Sequence, residues 1–182
     1  MKLLIASDIH GDAACCQAML DAAKREGVEK ILILGDVLYH GPRNDLPEGY
    51  APKEVIEMLN AIGDKLLCVR GNCDTEVDQM VLSFPVLSDT AFVYDGETDL
   101  TLFMSHGHKY SPDYLPPLSG RVVFLSGHTH LLGKTEVNGI PCVNPGSVSL
   151  PKGGNPKTYA VYENGMIEIK ELDGNTVEQY VF

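Results

Sequence analysis

Five separate apolar runs in this chain each lead to a residue that can bind a metal ion through oxygen or imidazole nitrogen. The runs are Leu3–Ser7, Ile31–Gly35, Leu66–Gly71, Leu100–Ser105 and Val122–Gly127. The residues that follow them are Asp8 and His10, Asp36, Asn72, His106, and His128 and His130. If the runs are neighbouring strands, these side chains converge, because ligands of α/β sheets gather beyond the carboxyl ends of strands. The sequence therefore predicts a site with enough ligands for two metal ions.

The order of the patterned segments predicts an α/β fold. A helix is expected from Asp12 to about Gly27, with Asp12 as the N-cap and Gly27 as the stop, and another from Pro52 to about Gly63. A short helix is expected over 77–84. Strands are then expected at about 91–94, 100–105, 121–126, 131–137, 141–144, 158–163 and 166–172. One domain over residues 1–182 fits this order, with either a mixed sheet or two packed sheets flanked by helices.

The composition and net charge of the chain indicate which classes of protein and of binding partner to expect. No apolar stretch approaches the length of a membrane span, and the N-terminus has no cleavage-site pattern, so we expect a cytoplasmic protein without a membrane partner. The five cysteines form no Cys-x-x-Cys pair and are expected to be reduced thiols. The net charge of −11 disfavours long nucleic acid, because phosphate backbones require a basic surface.

The donor set indicates the class of metal and of chemistry. Mixed oxygen and imidazole ligands without thiolate suit Mn, Fe, Ni, Co or Zn better than Ca or Mg alone. Asp36 is the natural candidate to bridge two cations, and Asn72 offers a neutral oxygen that limits the charge of the cage. Two such ions about 3.5–4 Å apart can hold a bridging hydroxide and a substrate oxygen together. Hydrolysis is the expected reaction.

Each motif is weak alone and strong in combination. A lone Asp-x-His, Gly-Asp or Gly-Asn is more often a turn than a metal ligand. The two histidine pairs, His106-Gly107-His108 and His128-Thr129-His130, are more specific because histidines rarely cluster without a role. The shared position at strand ends makes the whole set far more specific than its parts.

In this order the motifs resemble those of the calcineurin-like metallophosphoesterase superfamily. The matching segments are Asp8-Ile9-His10, Gly35-Asp36, Gly71-Asn72-Cys73-Asp74, His106-Gly107-His108 and Gly127-His128-Thr129-His130. Residues 35–44, 46–52 and 144–149 are similar to the small bacterial phosphodiesterases of the YfcE type. The resemblance implies a four-layer αββα sandwich, two divalent ions with Mn²⁺ preferred, small phosphodiester substrates, and a homo-oligomer such as a dimer or tetramer.

The resemblance also implies how the ligands divide between two metal ions, which would share Asp36. One ion would take Asp8, His10, Asp36 and His130. The other would take Asp36, Asn72, His106 and His128. Catalytic roles are expected for Asp36, Asn72, Cys73 and Asp74.

Cys73 stands where many superfamily members have a histidine that assists the leaving group. A thiol with an ordinary pKa near about 8.5 is a poorer acid than imidazole at neutral pH. We therefore expect substrates whose leaving group departs easily to react best.

Further residues near the motifs are candidates for substrate contact. His40, Arg43 and Asn44 follow Asp36 on a loop, where Arg43 is either a phosphate ligand or a solvated side chain. His108 is a candidate to orient a ligand. The loop from Lys152 to Lys157 lacks the spacing of a phosphate-binding loop and is not expected to line the pocket.

Other functions use the same residues. A phosphomonoesterase benefits from leaving-group protonation, so Cys73 counts against it, and the acidic charge counts against a nuclease. A scaffold with an altered metal site, as in the eukaryotic retromer subunit of this fold, is disfavoured because no ligand position is lost.

Overall fold

The computed structural model describes residues 1–182, which form two β-sheets. The first sheet has the order β11-β10-β9-β1-β2-β3 and contains β1 Lys2–Ala6, β2 Lys30–Ile33, β3 Leu66–Cys68, β9 Thr158–Glu163, β10 Met166–Glu171 and β11 Thr176–Val181. The second sheet has the order β4-β5-β6-β8-β7 and contains β4 Thr90–Asp95, β5 Leu100–Ser105, β6 Val122–Leu125, β7 Gly133–Val137 and β8 Ile140–Asn144. Both sheets are mixed. In the first, the pairs from β1 to the β3 edge are parallel and the others are antiparallel. In the second, the two central pairs are parallel and the two edge pairs are antiparallel.

Three helices complete the fold: α1 Ala13–Glu26, α2 Pro52–Asn60 and α3 Glu76–Val81. The helix α1 begins where expected, because the Asp12 carboxylate accepts a hydrogen bond from the Cys15 N–H at 2.9 Å. It ends at Gly27, whose φ of 67° is the left-handed conformation that glycine adopts without a Cβ penalty. The expected second helix ends earlier, at Asn60, and a 3-10 turn over Gly63–Lys65 follows it.

The hydrophobic core is divided into layers. One cluster lies between the helices and the first sheet, with Met19, Leu59 and Ile33 among its fully buried members. A second cluster lies between the two sheets and includes Ile5 and Leu102. The expected sandwich of two mixed sheets is therefore confirmed.

The outer face of the second sheet differs from the expected fourth layer, because no helix covers it. Phe103 and Phe124 stack on this face with ring centroids 5.5 Å apart. Tyr110, Leu115 and Leu118, from the irregular segment between β5 and β6, pack against them. Irregular chain thus takes the place of the second helical layer. None of the helices has both the length and the apolarity that a bilayer crossing requires.

The strand β11 was not expected from the sequence. It pairs antiparallel with β10 at the edge of the first sheet. Its side chains are half-buried or exposed throughout, and Val181 is 75% exposed. No side chain of this strand is fully buried. Its sequence therefore lacks the alternation of apolar and polar residues by which strands are recognised.

Candidate metal centre

The five strand ends belong to two sheets rather than to one set of neighbouring strands. The strands β1, β2 and β3 are parallel neighbours in the first sheet, and β5 and β6 are parallel neighbours in the second. The side chains beyond both groups nevertheless meet at the same end of the sandwich, where Asp8, Asp36 and His106 offer ligand atoms within 4.8 Å of one another. Stacking of the sheets, not strand adjacency alone, creates the site.

The first group of potential ligands is Asp8, His10 and His130. The Asp8 Oδ1 atom lies 3.5 Å from His10 Nε2 and 3.2 Å from His130 Nε2. The two imidazole Nε2 atoms lie 3.3 Å apart. All three side chains are buried, so three donor atoms surround one small volume from which bulk water is excluded.

The second group is centred on His106. Its Nε2 atom lies 3.4 Å from Asp36 Oδ2 and 3.0 Å from Asn72 Oδ1. The ring of His128 lies 5.1 Å from the ring of His106. Asp36 Oδ2 is also 3.8 Å from His10 Nε2, so this carboxylate reaches both groups.

Backbone carbonyls fix the orientation of three of the histidines. The Nδ1 atoms of His10 and His106 each lie 2.7 Å from a carbonyl oxygen, that of Tyr39 and Leu34 respectively. His130 Nδ1 makes the same contact with Leu150. When Nδ1 donates its proton to a carbonyl, the Nε2 lone pair is left facing the cluster, which is the orientation that metal ligation requires.

The Asp8 carboxylate tests whether these residues fit a metal ion. Its Oδ1 atom is fully buried and accepts no hydrogen bond, although buried carboxylate oxygens are almost always paired. Burial raises the pKa of Asp8, but contacts with His10 and His130 outweigh burial and hold the pKa well below its usual range. Asp8 is therefore an ionised carboxylate with an open acceptor, as expected of a cation ligand.

The pKa of His106 also reflects the negative charge of the carboxylates at this site. Burial lowers this pKa, but the hydrogen bond with Asp36 and the charge of Asp8 raise it to about 9. For His128, burial and the neighbouring His106 lower the pKa. Without a metal ion a proton resides on His106, and a divalent cation would take its place.

The backbone at the site is strained in a way that the sequence does not reveal. At the site, five non-glycine residues have φ between 50° and 66°: Asp8, His10, Asp36, His128 and His130. Such left-handed conformations cost about 1 kcal/mol or more each and concentrate at functional sites. All five are predicted ligands.

Two glycines allow the loops after β2 and β3 to touch. A Cβ on Gly35 would lie 2.4 Å from the Gly71 nitrogen, and one on Gly71 would lie 2.1 Å from Asp36 Oδ1. Only glycine at both positions permits Asp36 and Asn72 to approach the same point.

Asp74 was predicted as a catalytic residue, but its carboxylate is turned away from the ligand cluster. It is buried and accepts three backbone N–H bonds, from Asp36 at 2.8 Å, Val37 at 2.9 Å and Gly71 at 2.7 Å. Burial and the charge of Asp36 raise its pKa to about 6, although these backbone donors oppose that change. With its acceptors occupied by the backbone, Asp74 positions Asp36.

Cys73 borders the cluster as a neutral thiol. Its backbone N–H donates to Asp36 Oδ1 at 2.8 Å, and its Sγ accepts from Asn72 Nδ2 at 3.2 Å. Burial and the negative charge of Asp36 raise the pKa of the thiol far above its ordinary value. Without a cation on Asp36, the side chain therefore holds its proton too firmly to act as an acid near neutral pH.

A cleft of about 350 Å³ opens over the cluster. Arg43 and Asn44, the candidates for substrate contact, line it together with Asp36, Gly41, Pro42, Asn72, Cys73, His128, Thr129, His130 and Lys152. The presence of Lys152 corrects the expectation that its loop lies away from the pocket. The loop approaches because the Lys152 N–H donates to the His130 carbonyl at 3.1 Å.

Two of the predicted histidines do not line this cleft. The ring of His40 packs edge-on against Tyr39 and Tyr50, so the structure does not place it for substrate contact. The ring of His108 lies 5.4 Å from that of His106 and makes no hydrogen bond to a ligand histidine through its buried Nδ1. The pKa of His108 is lowered to about 4 by burial and by the nearby His106, so it stays neutral.

Ser147 and Ser149 are positioning residues to which no role was assigned from the sequence. Both hydroxyls donate to the carbonyl of Asp8, each at 2.9 Å. They thereby hold the strained backbone at Asp8. The only sequence signal was their place in Asn144-Pro145-Gly146-Ser147-Val148-Ser149, which resembles a family segment but carries no obvious chemistry.

Comparison with known proteins agrees with this geometry. The calcineurin-like phosphoesterase superfamily domain matches residues 1–165. The phosphodiesterase YfcE of Escherichia coli K12 is 45% identical over 177 residues, which cover 97% of this chain and 95% of that protein. A probable metallophosphoesterase of Bacillus subtilis, YsnB, is 26% identical over 189 residues.

The same likeness extends to solved structures. The structure of E. coli YfcE, described as a phosphoesterase, superimposes with a TM-score of 0.94 and covers 100% of this chain and 99% of that one. A Vps29 variant of Entamoeba histolytica superimposes with a TM-score of 0.62 at 22% identity, which shows a shared fold alone.

Proposed function

The chain belongs to the calcineurin-like phosphoesterase superfamily, and we propose that it is a metal-dependent phosphodiesterase with a centre of two divalent ions. One observation carries the proposal. The Asp36 carboxylate contacts both His10 and His106, so the two ligand groups share a bridging residue. The name of the 45% identical relative supports the choice of diester hydrolysis.

The ligand assignment follows the two groups. Asp8, His10, Asp36 and His130 would hold one ion, and Asp36, Asn72, His106 and His128 the other. When bound, two such ions lower the pKa of a coordinated water and neutralise charge on the phosphoryl group. In the chain itself, backbone carbonyls orient the imidazoles and Asp74 holds the backbone that carries Asp36. Cys73 supplies no proton to the leaving group.

Three finer features belong to the proposal. Mn²⁺ is the expected ion, although Ni, Fe, Co or Zn suit the same donors. A cytoplasmic location suits the five free cysteines. A homodimer or homotetramer is supported by the edge strand β4, where Phe92 and Tyr94 are 63% and 61% exposed.

A metal-rescue assay tests the function. The chelated protein is assayed with an aryl phosphodiester, the matching monoester and an oligonucleotide, with and without Mn²⁺, Ni²⁺ or Zn²⁺. We expect Mn²⁺ to restore turnover of the diester above all, and the Asp36→Ala variant to lose both metal and activity. Absence of diester turnover with every ion would refute the proposal.

A further inference from the structure

Two basic side chains in the cleft have no partner within the protein. Of the 14 lysines and arginines, ten contact a carboxylate, a carbonyl, a thiol or an aromatic ring. The other four, Arg43, Lys53, Lys65 and Lys152, make no such contact. Arg43 and Lys152 both line the cleft over the ligand cluster. In a chain with a net charge of −11, two unpaired cations at one cleft call for an external anion.

The loop of Lys152 is fixed to the metal centre. Its N–H donates to the His130 carbonyl at 3.1 Å, and the carbonyl of Leu150 accepts from His130 Nδ1. The segment from Leu150 to Lys152 is thus bound at two points to one ligand histidine. The ammonium group therefore stays within one side-chain length of the cleft that Lys152 lines.

The loop of Arg43 is fixed in a similar way from another part of the chain. It begins at Tyr39, whose carbonyl lies 2.7 Å from His10 Nδ1, and the Asn44 amide closes it onto the His40 carbonyl at 2.7 Å. A Cβ on Gly41 would lie 3.0 Å from Cys73 Sγ, so the loop rests against the site. Arg43 lines the same cleft as the ligand histidines His128 and His130.

The positive charge of these two residues exceeds what the scissile group requires. The two proposed ions carry +4, and the ligand carboxylates of Asp8 and Asp36 carry −2. The remaining charge of +2 exceeds the single negative charge of a phosphodiester. The charge of the diester is therefore neutralised without help from the loops. Arg43 and Lys152 remain available for a second anionic group on the same substrate.

We propose that Arg43 and Lys152 select phosphodiesters that carry a second anionic group, a phosphate or a carboxylate, on the arm that projects from the metal centre. This inference rests on the proposed phosphodiesterase function and specifies its substrate class. Arginine offers a planar fork that matches the oxygens of either group, and lysine adds a mobile point charge.

The test compares two substrates that differ only in the charge of one arm. Both are p-nitrophenyl phosphodiesters with a short alkyl arm, which ends in a carboxylate in one and in the methyl ester in the other. The ratio of their kcat/KM values measures the preference for the anionic arm. The variants are Arg43→Gln, Lys152→Gln and the double variant. Lys53→Gln is the matched control, because it makes the same change of net charge on α2, away from the cleft.

We expect the wild-type and Lys53→Gln proteins to prefer the anionic arm. Each cleft variant should lower the ratio by up to about fivefold, the effect of one exposed ion pair, and the double variant should abolish the preference. The preference should also weaken in high salt, which screens exposed charges. A wild-type ratio near one, or equal losses on both substrates in the cleft variants, would overturn the inference, because the cations would then serve the scissile phosphate alone.

A binding measurement separates this inference from the proposed function. Phosphonate analogues with the same two arms are titrated calorimetrically into the Mn²⁺-loaded full-length protein and its variants. Tighter binding of the anionic analogue, lost in the double variant but not in Lys53→Gln, supports the inference even if neither ester is hydrolysed. Equal binding of both analogues by the wild-type protein overturns it even if both esters are hydrolysed.

Discussion

The Nε2 atoms of His10 and His130 face each other at 3.3 Å, although 120 positions of sequence separate the two residues. Each ring turns its Nδ1 atom to a backbone carbonyl, so neither Nε2 carries a proton when the imidazoles are neutral. Asp8 Oδ1 lies within 3.5 Å of both. Three electron-rich atoms at such distances repel one another unless a proton or a cation lies among them. This arrangement is therefore the clearest physical reason to expect a metal ion.

Removal of metal should destabilise the protein. A divalent ion at 100 times its dissociation constant stabilises the folded state by about 2.7 kcal/mol, which for a chain of this length raises the melting temperature by roughly 5–10 °C. Calorimetric melts with EDTA and with Mn²⁺ measure the change. The Asp36→Asn variant should respond much less to Mn²⁺, and an identical melting temperature for the wild type in both conditions would contradict a metal site.

Replacement of Asp74 should affect stability and activity together. In Asp74→Asn an amide NH₂ would face backbone N–H donors, so we expect a loss of about 2–4 kcal/mol in the free energy of unfolding and reduced metal content. Asp36→Asn should instead abolish activity while the fold persists. Urea unfolding and metal analysis of both variants check this. Normal stability of Asp74→Asn with loss of turnover would point to a direct chemical role for Asp74.

Cys73 should make the reaction sensitive to the leaving group. Because the buried thiol donates no proton, kcat for a series of substituted aryl diesters should fall steeply as the pKa of the leaving phenol rises. In Cys73→His an imidazole acid should flatten this dependence and accelerate the poorest substrates by about 10²-fold. Cys73→Ser is the control, and it should keep the steep dependence. Equal slopes in all three proteins would show that the group at position 73 does not reach the leaving oxygen.

Acid should weaken the fold partly through Glu26, the last residue of α1. Burial raises the pKa of this carboxyl, but hydrogen bonds from Lys170 at 2.7 Å and Tyr159 at 2.9 Å outweigh burial and lower it. A lowered folded pKa means that the stabilisation is present above the unfolded pKa near 4.5 and is lost as pH falls through the folded value.

The Glu26→Gln variant checks this sign. At pH 7 it should lower the free energy of unfolding by about 2 kcal/mol, and the difference from wild type should shrink below about pH 4. Glu57→Gln, at an exposed position on α2, should behave as wild type. A difference that stayed constant with pH would mean that Glu26 acts through packing rather than charge.

The sequence alone determined what depends on local chemistry. The donor types, their place at strand ends, and the N-cap and stop of α1 follow from residue type and periodicity over a few neighbours. The same patterns were sufficient to suggest the superfamily. The edge strand β11 escaped because none of its side chains is fully buried and Tyr180 alone packs against the core between the sheets, which leaves little apolar alternation in its sequence.

Only the tertiary structure decided how these local pieces meet. It divided the strand ends between two sheets, turned the Asp74 carboxylate onto the backbone of Asp36, and brought Lys152 to the cleft that Arg43 also lines. Each outcome joins residues that are distant along the chain, and such contacts are set by sheet stacking and loop closure. Local secondary-structure propensity depends only on neighbouring residues, so it cannot predict how sheets stack or how loops close onto the site.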